Sequence, residues 1–177
     1  MRRSILVVAL AIFSIGILAT VASTSTQAED LSSEQVERVK MNCVAIKTSI
    51  NQLHASDALL RVNRGQVYES MASKLMDSFN SRLASNRLDN KAMTTGTANY
   101  RSALESFRTN YIQYEQKLAE AIHTDCEAQP RSFYVMIEEA RELRSKVHGD
   151  VLRLHKHLDD YRSSVSGFLV NYERVAQ

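Results

Sequence analysis

The chain has 177 residues, with 22 Lys and Arg against 20 Asp and Glu, a formal net charge of +2. Arg2 and Arg3 hold that whole excess, since Glu29 is the next charged residue, so the body is neutral and evenly mixed. Such a body lacks the clustered basic surface that nucleic acid requires. One Pro, no Trp, five Gly and 24% charged residues point to a helical domain rather than a disordered or all-β chain.

Met1-Arg2-Arg3-Ser4 is a short basic start, followed by a largely apolar run from Ile5 to Ala22 and the polar stretch Ser23–Ala28. That is the pattern of a secretory signal, with Thr26-Gln27-Ala28 as a small-x-Ala cleavage site. The run also just reaches the length that spans a bilayer, so an uncleaved anchor stays open. Residues 1–28 are therefore a signal peptide or an N-terminal membrane anchor. Either way the positive-inside rule places residues 29–177 outside the cytoplasm, as an extracytoplasmic helical domain.

From Leu31 onward apolar residues recur alternately three and four apart, the repeat of a coiled coil. Ser32 and Gln35 fit a capping box, and Leu31 with Val36 a hydrophobic staple. The first seam runs Val36, Val39, Cys43, Ile46, Ile50, Leu53, Asp57, Leu60, Arg64, Val67, Met71, Leu75, Phe79, Leu83, with a shift of register in its second half. A second runs Met93, Thr97, Tyr100, Leu104, Phe107, Tyr111, Tyr114, Leu118, Ala121. The third follows Pro130, which suits a first helical position. It runs from Phe133 through Ile137, Ala140, Arg144, Val147, Val151, Leu154, Leu158, Tyr161, Val165, Phe168 and Tyr172 to Val175. The predicted class is all-α, an elongated antiparallel three-helix bundle or coiled coil with helices over 32–84, 89–127 and 130–176.

Two places can break the first helix: Asn63-Arg64-Gly65 and Ser85–Asn90. Two Cys without a CxxC in an exported chain most simply pair. The midpoint between Cys43 and Cys126 falls between Ala84 and Ser85, so a hairpin there sets both at one level. A turn at Gly65 separates them by tens of ångströms at ~1.5 Å rise per residue, whereas disulfide Cα atoms lie within ~7 Å. The sequence thus predicts a Cys43–Cys126 disulfide and no turn at Gly65; two free, packed thiols are the alternative.

Nothing matches a catalytic motif: there is no phosphate loop, nucleophile elbow, HExxH or haem attachment. Glu120 and His123 form one Glu-x-x-His pair, and a bundle di-metal site needs two. No enzyme and no cofactor are expected. His155 and Asp159 have the spacing of a helical ligand pair, but a third ligand is missing, so they read as solvated residues. Asp57, Arg64 and Arg144 are the charges on core seams. Aligning the helices puts Arg144 near Asp57, with Glu115 at the same level and Glu105 near Arg64. This buried polar layer either sets register or binds a ligand.

The stretch Asp57-Ala58-Leu59-Leu60-Arg61-Val62-Asn63-Arg64-Gly65-Gln66-Val67-Tyr68-Glu69, with Leu75-Met76, Asn80-Ser81-Arg82-Leu83, Asp125-Cys126 and Pro130-Arg131-Ser132-Phe133-Tyr134, resembles uncharacterised exported helical proteins of Saccharibacteria and related candidate-phylum bacteria. The resemblance covers most of the body. It implies export and helical form, and it carries over no functional residues.

The expected function is a non-catalytic protein–protein interaction or scaffolding module outside the cytoplasm. Its partner is another protein or a second copy, with the membrane reached only through the N-terminal segment. A holdase chaperone of the Skp type is a second reading, although those proteins are markedly basic. A ligand-sensing bundle using the Asp57/Arg144 layer is a third.

Overall fold

A computed structural model describes residues 31–176; the signal or anchor reading of residues 1–28 lies outside them. The described elements are α1 (Ser33–Met41), α2 (Cys43–Ser70), a π-helical turn (Met71–Met76), α3 (Asp77–Ser85), α4 (Lys91–His123) and α5 (Pro130–Ala176). Among the described residues there is no strand, and no helix is long and apolar enough to cross a membrane. The chain is all-helical, as its periodicity predicts.

Local chemistry sets the ends. The capping box at the start of α1 is made: the Ser32 hydroxyl accepts from the Gln35 N–H, and the Gln35 side chain accepts from the Ser32 N–H at 2.8 Å. Gly65 lies inside α2 and turns nothing. The turn comes after α3, where Arg87 sits in the left-handed region at φ 57°. There the Leu88 N–H donates to the Leu83 carbonyl at 2.9 Å and the Arg87 N–H to the Ala84 carbonyl at 3.0 Å. Those two bonds are a Schellman closure, with the side chains of Leu83 and Leu88 at its apolar positions.

α4 ends at His123, short of the expected 127. Thr124 donates its hydroxyl to the Glu120 carbonyl at 2.9 Å. The Asp125 carboxylate then accepts the N–H groups of Glu127 and Ala128, each at 3.0 Å. Those two N–H bonds hold Asp125 below the usual carboxylate range. α5 starts at Pro130, where the missing N–H costs nothing.

α4 has its main contacts with α5 and also touches α2, the π turn and α3. Every expected seam position of α4, from Met93 through Ala121, is buried. One apolar cluster joins Tyr68, Ala72 and Met76 to Tyr100, Leu104, Phe107, Leu154 and Tyr161. A second surrounds Cys43 and Cys126 with Ile50, Tyr111, Tyr114, Leu118 and Phe133. Gly96 allows the close approach of α5, since a Cβ there would lie 3.3 Å from Tyr161 Cδ2.

The first seam departs from expectation after Asp57. Leu60, Val67 and Leu75 are exposed, while Tyr68, Ala72 and Met76 are buried. A straight α-helix keeps a face at about 3.6 residues per turn and drifts away from a strict heptad. That drift carries the buried face from Asp57 to Tyr68 instead of Val67. The π turn then fits more residues into each turn, so Tyr68, Ala72, Met76 and Asn80 stay on one side. Tyr172 and Val175, placed on the third seam, are exposed near the end of α5.

The cysteines are joined, with Cα atoms 5.6 Å apart, and Cys126 is fully buried. The bridge ties α2 to the α4–α5 turn. Closing so long a loop stabilises by about 4 kcal/mol in the chain-entropy model. Cys43→Ser with Cys126→Ser is expected to lower the unfolding free energy by that order, measured by urea denaturation with and without reductant. An unchanged midpoint would show that the helices hold without it.

Candidate binding groove

α2 and α5 both pack on α4 and leave a groove between them. Its lower stretch, about 760 Å³, has Phe107, Tyr111 and Tyr114 of α4 among its lining, with walls from Asp57 to Tyr68 and from Arg141 to His155. Its upper stretch, about 560 Å³, is lined by Ala45, Ile46, Ile50 and Leu53 of α2, Leu118 of α4, and Ile137 and Ala140 of α5. Tyr114, Arg141 and Arg144 border both stretches.

A polar cluster lies where the stretches meet. The Tyr114 hydroxyl donates to Asp57 Oδ2 at 2.8 Å. Arg144 donates from Nε to the same oxygen at 3.1 Å and from an Nη to Oδ1 at 3.4 Å. The Asp57 side chain is 12% exposed and that of Arg144 54%, so the pair is buried on the α2 side and open on the α5 side. Its hydrogen bond to Asp57 strengthens the hold of Arg144 on its proton. Lower down, Arg61 stacks over the Tyr111 ring with its guanidinium carbon 5.0 Å from the centroid. The Tyr68 hydroxyl lies 3.4 Å from His155 Nε2.

The remaining predicted site residues lie elsewhere. Arg64 is exposed on the groove wall and not in the core, because the drift of α2 turns it outward. Glu105 is exposed and pairs with Arg108, which also reaches Glu69, so it does not meet Arg64. Glu115 faces His54 at 3.7 Å and does not join Asp57. His155 and Asp159 are both exposed. Among the described residues no three His, Cys, Asp or Glu side chains converge where a metal could sit.

Among the described residues the fully buried acid is Asp150, which the seams of the sequence did not single out. It accepts from the Asn110 amide of α4 at 2.7 Å and pairs with Arg153. The signal was present: Asp150 lies three residues after Val147 and four before Leu154, on the core face of α5. A second missed network joins Asn80, Thr97 and Tyr161. Asn80 donates to the Thr97 hydroxyl at 2.8 Å, and Tyr161 donates to the Asn80 carbonyl oxygen at 3.0 Å. Among the described residues no buried side-chain polar atom lacks a partner.

Comparison with family models, with curated proteins and with solved structures returns no match. The groove itself therefore carries the functional argument. It offers cations, aromatic faces and apolar contact.

Asp57 is expected to matter more to stability than Arg144. Asp57→Ala strips the buried Tyr114 hydroxyl of its acceptor and should cost about 1–3 kcal/mol. Arg144→Leu removes a half-exposed ion pair from an apolar border and should change stability by less than about 1 kcal/mol. Urea denaturation of the two variants checks the order, and a larger loss for Arg144→Leu would contradict it.

The buried phenols make the fold sensitive to alkali. Burial pushes Tyr100 up to about 12, helped by Tyr68 and Glu69, and pushes Tyr111 up to about 12, helped by Glu115. Burial first, then the bond to Asp57, also raises Tyr114. An unfolded Tyr titrates near ~10. These raised values thus stabilise fully below pH ~10, and that stability is lost as pH rises through about 12. The melting temperature should hold to pH ~9.5 and fall between ~10 and ~12 as tyrosinate absorbance appears. Tyrosine ionisation centred near ~10 with the fold intact would refute this.

Proposed function

We propose that this chain is a non-catalytic protein–protein interaction or scaffolding module outside the cytoplasm, and that the α2/α5 groove is its binding face. In this reading the helices form an elongated antiparallel three-helix bundle with coiled-coil packing. The observation that carries the reading is the open groove, where two helices share one aromatic support without closing on each other. Several hundred cubic ångströms of apolar and aromatic lining are left for something outside the chain. The Cys43–Cys126 bridge fits an oxidising compartment, and so does the signal or anchor pattern of residues 1–28.

The Asp57–Arg144 pair supports a second reading, a ligand-sensing bundle. It joins α2 to α5 at the junction of the two stretches, and an incoming anion competes with Asp57 for Arg144. A large protein partner and a small ligand leave different marks on the groove.

In-cell photo-crosslinking separates them. A photoreactive phenylalanine at Leu60 or Ser145, on the groove walls, is expected to give discrete protein adducts. The same group at Ile112 or Leu152, exposed positions that do not line the groove, is expected to give none. Equal adducts from both sets, or none from the groove, would remove the interaction reading.

A further inference from the structure

We infer that the groove receives an acidic, apolar-faced helical segment of a partner protein. This rests on the groove being the binding face and adds the chemistry of the occupant.

The body as a whole is neutral, but its charges are not evenly spread. Along the lower stretch Arg61, Arg64, Arg141 and Arg144 face Asp57, the one carboxylate among the residues lining it. Asp57 already holds Arg144, and Glu138 holds Arg141. Among the described residues the ion pairs include neither Arg61, which lies over the Tyr111 ring, nor the exposed Arg64, so two guanidinium groups without a carboxylate partner stand beside an aromatic floor. A partner that covers them without supplying acids strips water from two unpaired charges, which is costly. A partner with carboxylates at that level replaces the water with paired hydrogen bonds.

The shape selects a helix. The lining runs from Asn42 to Tyr68 along α2, about 40 Å at ~1.5 Å per residue. A small-ligand site encloses most of its ligand, whereas this trough is open along its length. Whatever lies on an apolar floor must satisfy its own backbone polar groups. No strand among the described residues offers an edge that would satisfy them. A helix does so internally and presents side chains three and four apart. The upper stretch, with Ile46, Leu53 and Ile137, takes the apolar face, and the arginine stretch takes the acids.

The test uses the full-length oxidised chain and a fluorescein-labelled 28-residue designed helix with Leu on one face and Glu flanking it. Controls are the same peptide with Lys for Glu and a scrambled peptide of identical composition. Anisotropy is expected to show saturable binding of the Glu helix and at least ten-fold weaker binding of both controls. Arg61→Ala with Arg64→Ala should weaken the Glu helix at least ten-fold at unchanged circular dichroism. Lys74→Ala with Arg82→Ala, the same charge change away from the groove, should leave it as it was.

Equal binding of the Glu and Lys helices, equal binding of the scramble, or no loss in the Arg61/Arg64 variant overturns the inference. Displacement of the Glu helix by dodecanoate at lower concentration also overturns it, by making a small amphiphile the occupant. If no peptide binds while crosslinking from Leu60 and Ser145 persists, the acidic helix is wrong and the groove remains the binding face.

Discussion

The described fold depends on one constraint, the burial of the tyrosine-rich face of α4. A tyrosine brings a large apolar ring and a hydroxyl that needs a partner once water is excluded. Tyr100 and Tyr114 both meet that demand across a helix interface, at the Tyr68 carbonyl and at Asp57. Tyr161 of α5 does the same at the Met76 carbonyl and Asn80. Apolar burial draws the helices together without direction. The hydroxyls then select the register, because sliding α2 past α4 by one turn leaves buried polar groups unpaired.

The π turn follows from that requirement. The carbonyls of Tyr68 and Met76 must meet Tyr100 of α4 and Tyr161 of α5, although they lie on a segment whose heptad spacing turns other residues inward. Extra residues per turn between Met71 and Met76 keep Ala72 and Met76 in the core and bring Asn80 to Thr97 and Tyr161. The exposed Leu75 is the other side of the same rotation, while Val67, ahead of the turn, is exposed by the drift of α2.

The groove belongs to the same arrangement. In the stretch opposite Phe107 to Tyr114, α2 and α5 reach each other through long polar side chains, Asp57 to Arg144 and Tyr68 to His155, and the apolar floor that α4 supplies stays open between them. Four arginines that are dispersed in sequence, two on each wall, come to face one trough. A body neutral in total thus presents a cationic surface over one limited area.

Much of this was legible in the linear chain. The helical class, the turn near Ser85, the run through Gly65, the burial of α4 and the Cys43–Cys126 bridge all follow from local periodicity, capping chemistry and equal spacing about a midpoint. The first four are set by neighbours along a helix, and the bridge by equal lengths of chain on either side of the turn, so composition and order determine them. Tertiary structure alone decided which side of α2 faces inward beyond Asp57, hence that Arg64 is open while Tyr68 is covered. It also decided that Glu105 and Glu115 serve other partners. Each of these depends on a fraction of a turn of helix rotation, set by hydroxyl and carboxylate partners on another helix. One helix's sequence cannot carry that information, since the partner that fixes the rotation is dozens of residues away.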